Sequence, residues 1–236
     1  MNFFIDTEFL EGTQKKFLGG TSLPTIDLIS IAVLAEDGKS YYAVSSEFNL
    51  REAWDRWEQR TGEGDRNNTE PKLYWIRQNV LKPIFQQWQG ISSLNNSYEF
   101  NYKNFEMFLS SYGKTRHEIA SEVEDFVRGY TWAEDANFIA PNFYGYYADY
   151  DWVAFCWLYG KMKDLPKGFP MYCRDLKQSF DEMKPLPEEL KNQCNISVNA
   201  PSWKDHYEYP KEKNAHHALA DAEWNLELYQ FIQKYR

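Results

Sequence analysis

The hydrophobic pattern of the chain changes period along its length. Residues 2–9 form an apolar run without Gly or Pro, which predicts a short strand. Residues 26–34 predict a second strand, Asp37-Gly38 supplies a hairpin turn signal, and residues 40–45 predict a third. Three antiparallel strands therefore open the chain, and residues 11–25, with Gly12, Gly19, Gly20 and Pro24, read as the loop joining the first two. Beyond Leu50 the spacing becomes helical. Helices are expected at 51–60 and 72–89, with Pro83 kinking or ending a segment, and a polar loop is expected at 61–70. Residues 90–113 are aromatic-rich and fit either an insertion or the cover of a cleft. A helix over 115–129 is better specified, because Thr115 and Glu118 fit a capping box ahead of Ile119, Val123, Phe126 and Val127. A fourth strand is expected within 137–147, a helix at 151–159, an edge strand at 169–173, a break at 184–187, a short helix at 188–191, a polar loop at 197–213 and a helix at 218–235. Strands first, then alternation with helices, fits an α/β domain with a mixed sheet.

Strand alternation turns the first run into a chemical question. Side chains of successive strand residues face opposite ways, so Phe3, Ile5, Thr7 and Phe9 share one face and Phe4, Asp6 and Glu8 the other. Two carboxylates on one face of an oily strand are costly to bury unless a cation neutralises them. An Asp-x-Glu pair suits Mg²⁺ or Mn²⁺. The plain alternative is a solvated strand end with two incidental acids.

Two later segments supply further acids. In a helix at 151–159, Asp151 shares an apolar face with Ala154, Phe155 and Leu158, so its carboxylate looks inward, whereas Asp149 suits a helix cap. On the last helix Ala218, Ala222, Leu226 and Tyr229 centre the apolar stripe, and Asp221 falls inside its edge, between the directions of Leu228 and Ile232. The ordinary alternatives are a salt bridge for Asp221 and a capping or core role for His216 or His217. Four acids and a histidine on three segments instead suit two-metal phosphodiester chemistry, in which cations about 3.5–4 Å apart clamp the attacking and leaving oxygens. A neutral histidine nearby can take the proton of the attacking water.

Composition narrows the partners. The 236 residues carry a formal charge of −9, which argues against a broad basic surface for long nucleic acid but not against a grip on a strand end. The 9 Trp, 17 Tyr and 16 Phe serve as core, or as ring faces for stacking on bases. Cys156, Cys173 and Cys194 lack metal-ligand spacing and read as reduced thiols. No signal peptide or membrane-spanning run is visible, so a cytoplasmic location is expected and the glycosylation patterns at Asn67 and Asn195 read as chance.

The three acid segments resemble the signatures of the DEDDh 3′–5′ exonucleases: Asp-x-Glu at Asp6 and Glu8, a lone Asp opening a helix at Asp151, and His-x-x-x-x-Asp at His216 and Asp221. The spacing selects His216. His217 lies one helical turn from Asp221 and stays a competitor, and His216 must precede the helix to reach a metal. A narrower similarity is to the bacterial poly(A)-specific 3′-exoribonuclease group. It rests on Phe4-Ile5-Asp6-Thr7-Glu8-Phe9, Leu28-Ile29-Ser30-Ile31, Tyr41-Tyr42-Ala43-Val44-Ser45, Tyr150-Asp151-Trp152-Val153-Ala154 and Pro170-Met171-Tyr172-Cys173-Arg174-Asp175-Leu176.

The resemblance implies an RNase H-like mixed β-sheet with flanking helices and a single domain over 1–236, with insertions near 11–24, 55–72 and 89–112. It implies two Mg²⁺ or Mn²⁺ ions. Asp6, Glu8 and Asp221 would hold one, Asp6 would bridge to the second, Asp151 would help position the second, and His216 would be the base. Thr7 and Phe9 would lie beside the terminal nucleotide, with Phe9 a stacking or wedge residue or simply a core strand residue. The implied substrate is a single-stranded 3′ end, RNA before DNA and with adenine preferred, released as nucleoside 5′-monophosphates. A homodimer is also admitted. Two other readings compete. One is a 3′–5′ DNA exonuclease for proofreading or end trimming, which matched RNA and DNA substrates separate. The other is a catalytically idle nucleic-acid-binding module, which any metal-dependent turnover excludes.

Overall fold

A computed structural model describes residues 1–13, 23–57, 73–91, 98–131, 139–194, 201–211 and 216–236. The expected loop at 61–70 and the patterns at Asn67 and Asn195 lie outside the described residues, as do the ends of several other expected segments. Five strands form one mixed sheet in the order β3-β2-β1-β4-β5. β1 (Asn2–Thr13), β2 (Pro24–Ala35) and β3 (Ser40–Val44) pair antiparallel, while β4 (Asn142–Gly145) runs parallel to β1 and β5 (Arg174–Asp175) parallel to β4. This is the α/β mixed sheet with flanking helices that the pattern predicts.

Two expectations on strands need correction. Residues 11–13 and 24–25 are paired strand rather than loop, so β1 and β2 extend as a two-stranded ribbon past the other strands. Pro24 is tolerated because it begins its strand. The edge strand is Arg174–Asp175, not 169–173. The register also shifts between Glu8 and Phe9: Glu8 faces Ser30 and Phe9 faces Leu28, leaving Ile29 as the extra residue of a β-bulge.

Helices cover both faces. On one, Phe3, Ile5, Val33 and Phe143 pack against α4 (Arg116–Thr131) and α5 (Asp149–Leu158). The predicted capping box is present, with Thr115 N–H donating to Glu118 Oε2 at 2.7 Å and Glu118 N–H donating to Thr115 Oγ1 at 3.2 Å. On the other face, Phe4, Ala32 and Leu34 meet Ala218 and Ala222 of α7 (Ala218–Tyr235). Beside them Leu10 and Ile29 pack with α1 (Leu50–Asp55), α2 (Lys82–Ile91) and α3 (Tyr102–Tyr112). The ambiguous stretch 90–113 thus contributes a helix whose Phe105, Phe108 and Leu109 are core. Among the remaining helices, α6 (Leu176–Asp181) packs on α7.

Pro83 neither ends nor visibly breaks its helix. It is preceded by a π-helical turn, Arg77–Leu81, in which Lys82 N–H bonds to the Arg77 carbonyl five residues back. The widened turn absorbs the position where a proline would otherwise clash with the carbonyl four residues earlier. No helix among the described residues is long and apolar enough to cross a membrane.

Candidate active site

The site forms where the sheet is incomplete. β4 pairs with β1 only from Asn142 to Tyr144, opposite Asn2 to Phe4. Beyond Phe4, the flank of β1 that β4 would cover is open. The chain turns away at Gly145, where a Cβ would stand 2.9 Å from the Ala148 Cβ and 3.3 Å from the Ile5 carbonyl oxygen. Only glycine allows this close approach. α5 then starts at Asp149, and its first turn delivers Asp151 into the gap. Asp151 Oδ1 accepts from the Thr7 backbone N–H at 2.9 Å and from Thr7 Oγ1 at 2.5 Å. A carboxylate thus satisfies an N–H that a longer β4 would have bonded. Position at the crevice beyond the carboxyl end of a parallel strand is the usual location for ligand sites in such sheets.

Asp6 and Glu8 lie on the α7 face of β1, as alternation predicts, between the buried Phe4 and Leu10. Asp221 comes from the first turn of α7, and carboxylate oxygens of Asp6, Glu8 and Asp221 lie within 4.8 Å of one another. Asn225, one turn further along α7, donates from Nδ2 to the Ile5 carbonyl at 3.0 Å and so fixes the helix against the strand that carries Asp6. Asn225 is 1 % exposed, a polar residue inside the buried stripe, and that anomaly was available in the sequence.

The electrostatics of the four acids are strained. Burial, then repulsion from Asp151, Glu8 and Asp221, raises the Asp6 carboxyl well above its ordinary range. Burial followed by repulsion from Asp221 and Asp151 pushes Glu8 up to about 8. Asp151 rises to about 6, chiefly through burial, and its two bonds from Thr7 hold it lower than it would otherwise stand. Asp6, Glu8 and Asp221 converge with only oxygen donors, with Asp151 close enough to raise the pKa of Asp6 and Glu8, and such a set fits a hard divalent cation such as Mg²⁺ or Mn²⁺.

The remaining residues sort as follows. Asp149 is not the helix cap: it is the first residue of α5 and exposed, and Ala148 occupies the cap position. Thr7 is 5 % exposed and committed to Asp151 through both its donors. The half-buried Phe9 ring packs on the core and meets the Tyr150 ring edge-on at 5.7 Å. His216 precedes α7 and is exposed, with its backbone in the left-handed region at φ 68. Its N–H and that of His217 both donate to Asp221 Oδ2, at 2.9 and 3.2 Å. His217 is buried, its ring stacks on Tyr42 at 5.0 Å, and Nε2 pairs with Gln87 Oε1. Burial lowers its pKa. Of the two histidines, His216 alone presents an exposed ring.

No family model matches this chain. Two curated relatives do. Each is named 3′-5′ exoribonuclease and comes from Mycobacterium tuberculosis, one from strain CDC 1551 / Oshkosh and one from strain H37Rv. Each is 29 % identical to this chain over 195 residues, covering 80 % of this chain and 83 % of the relative.

Proposed function

We propose that this chain is a divalent-metal-dependent 3′–5′ exoribonuclease of the DEDDh type, built as one RNase H-like catalytic domain. The observation that carries the reading is the convergence of Asp6, Glu8 and Asp221 from β1 and α7, with Asp151 tied alongside through Thr7. The names of the two relatives give the substrate class and the direction. Asp6, Glu8 and Asp221 would hold one Mg²⁺ or Mn²⁺, and Asp6 with Asp151 would serve a second. The bound ions supply charge neutralisation and Lewis acidity at the terminal phosphodiester.

The protein side chains do the rest. His216 takes a proton from the attacking water as the 3′-terminal phosphodiester is cleaved, releasing a nucleoside 5′-monophosphate. Thr7 acts through Asp151, holding its carboxylate ionised and oriented. Phe9 offers its ring to the terminal base. Adenine is the favoured base in this reading.

The deciding experiment is digestion of matched 3′-tailed RNA and DNA ladders with Mg²⁺, with Mn²⁺ and with EDTA. Stepwise shortening of RNA from the 3′ end, lost in EDTA and faster for adenine tails, is expected. Equal rates on DNA would remove the RNA assignment. No turnover of any labelled 3′ end would leave a binding module.

A further inference from the structure

The histidine assigned as base is exposed and in a strained backbone conformation, and its surroundings show what holds it. His216 has φ 68, a region that non-glycine residues enter at a cost and keep only when neighbours over-determine it. Three restraints act on it. Asp221 grips the backbone N–H of both His216 and His217. Gln87 and Tyr42 clamp the His217 ring. The third acts on the imidazole of His216 itself: the Trp75 ring meets it at 4.6 Å between centroids and 71° between planes.

Trp75 is firmly mounted. It stands in the helical turn that leads into the π segment, and Asn79 Nδ2 donates to its carbonyl at 3.0 Å. Its neighbour Tyr74 is covered by the Arg77 guanidinium at 3.8 Å, which also faces Trp54 at 5.4 Å. Trp75 itself packs against the core cluster beneath α2 and α3. One helical run, residues 75–91, therefore touches both histidines, His216 near its start and His217 through Gln87 further along.

We propose that Trp75 is a positioning residue for the catalytic histidine: its ring, fixed on the helix that also anchors His217, sets where the His216 imidazole stands beside the carboxylates. The inference rests on the reading of His216 as the general base. An exposed imidazole left free to rotate would spend little time in the geometry for proton transfer, and a displacement of about 1 Å can cost a hundredfold in rate. An edge-to-face aromatic contact is directional, so a ring at position 75 matters rather than bulk alone.

The test compares Trp75→Phe, which keeps a ring, with Trp75→Leu, which keeps apolar bulk without one, alone and in a His216→Ala background. Single-turnover and steady-state rates are measured on 3′-tailed RNA at saturating Mg²⁺. Trp75→Leu should lower kcat about ten- to hundredfold with KM within about twofold, and Trp75→Phe should recover most of it. In the His216→Ala background, Trp75→Leu should change kcat by less than about twofold, because the two residues act as one unit. Equal losses for Phe and Leu, or the same factor with and without His216, would overturn the inference by making Trp75 a packing residue only. If His216→Ala leaves kcat unchanged, the base assignment fails and this inference with it. If His216→Ala is impaired while Trp75→Leu is not, only the role of Trp75 fails.

Discussion

At the scale of single residues, the site depends on which groups are held and by what. Thr7 is the sharpest case. Its alternation with Asp6 and Glu8 is visible in the sequence, and its place near the substrate follows only from the resemblance. What the sequence could not show is that β4 stops at Gly145 and leaves the Thr7 N–H to Asp151, because that depends on where another strand ends. Thr7→Val keeps the backbone donor and the volume but removes the hydroxyl bond. A hydrogen bond to a charged acceptor contributes about 1.5–3 kcal/mol, so a loss of kcat of about tenfold or more is expected, with folding retained. Wild-type rates in Thr7→Val would show that the backbone N–H alone suffices to hold Asp151. The two histidines give a second contrast. His216→Ala should lose activity with little change in thermal midpoint. His217→Ala should lower the midpoint, because it removes a buried ring stacked on Tyr42 and leaves Gln87 unpaired. Activity surviving in His216→Ala but not in well-folded His217→Ala would move the base to His217. Spacing selects His216 and helix geometry keeps His217 a competitor; in the structure His216 is exposed and His217 buried.

At the scale of elements, the long periodic segments were legible and the interruptions were not. α4, α7 and the first three strands follow from period and caps. The ribbon of β1 and β2 beyond Leu10 was missed because Gly12 and Pro24 read as breakers, whereas pairing between two strands of one hairpin outweighs their local cost. The π turn before Pro83 has no signal in a pattern tuned to 3.6 residues. Gly145 carries the most weight among these interruptions, since it lets β4 end against β1 and α5 begin at once. Gly145→Ala places a methyl 2.9 Å from the Ala148 Cβ, and backbone rather than a flexible side chain must move. Overpacking of this kind typically costs about 1–3 kcal/mol. The start of α5 should shift away from β1 and loosen Asp151 from Thr7, so the urea midpoint should fall together with kcat. A fall in midpoint with full activity would mean that α5 moves as a body without disturbing Asp151.

At the scale of the whole molecule, the acid cluster sets one net cost on the metal-free fold. Glu8 stands at about 8 in the folded chain against an ordinary 4.5, and Asp151 at about 6 against 3.8. Both groups bind protons more tightly folded than unfolded, so stability falls with pH wherever the folded state still holds a proton that the unfolded state has released. Their contribution is fully present below about pH 4 and is lost as pH rises through about 6 for Asp151 and about 8 for Glu8. His217 works the other way: burial lowers its pKa, so its contribution is lost as pH falls below the ordinary histidine range. Substitution separates the two. In EDTA, Glu8→Gln should be more stable than the parent chain at pH 8, and the difference should shrink steadily towards pH 5. Each kcal/mol corresponds to about 2–4 °C in a chain of this size, so differential scanning fluorimetry resolves it. Mg²⁺ should restore the parent chain and not the variant, because the cation takes the place of the protons that the cluster otherwise retains. If Glu8→Gln and the parent keep the same midpoints from pH 5 to 8 in EDTA, Glu8 is not held protonated by its neighbours, and the electrostatic case for a cation between Asp6, Glu8 and Asp221 fails.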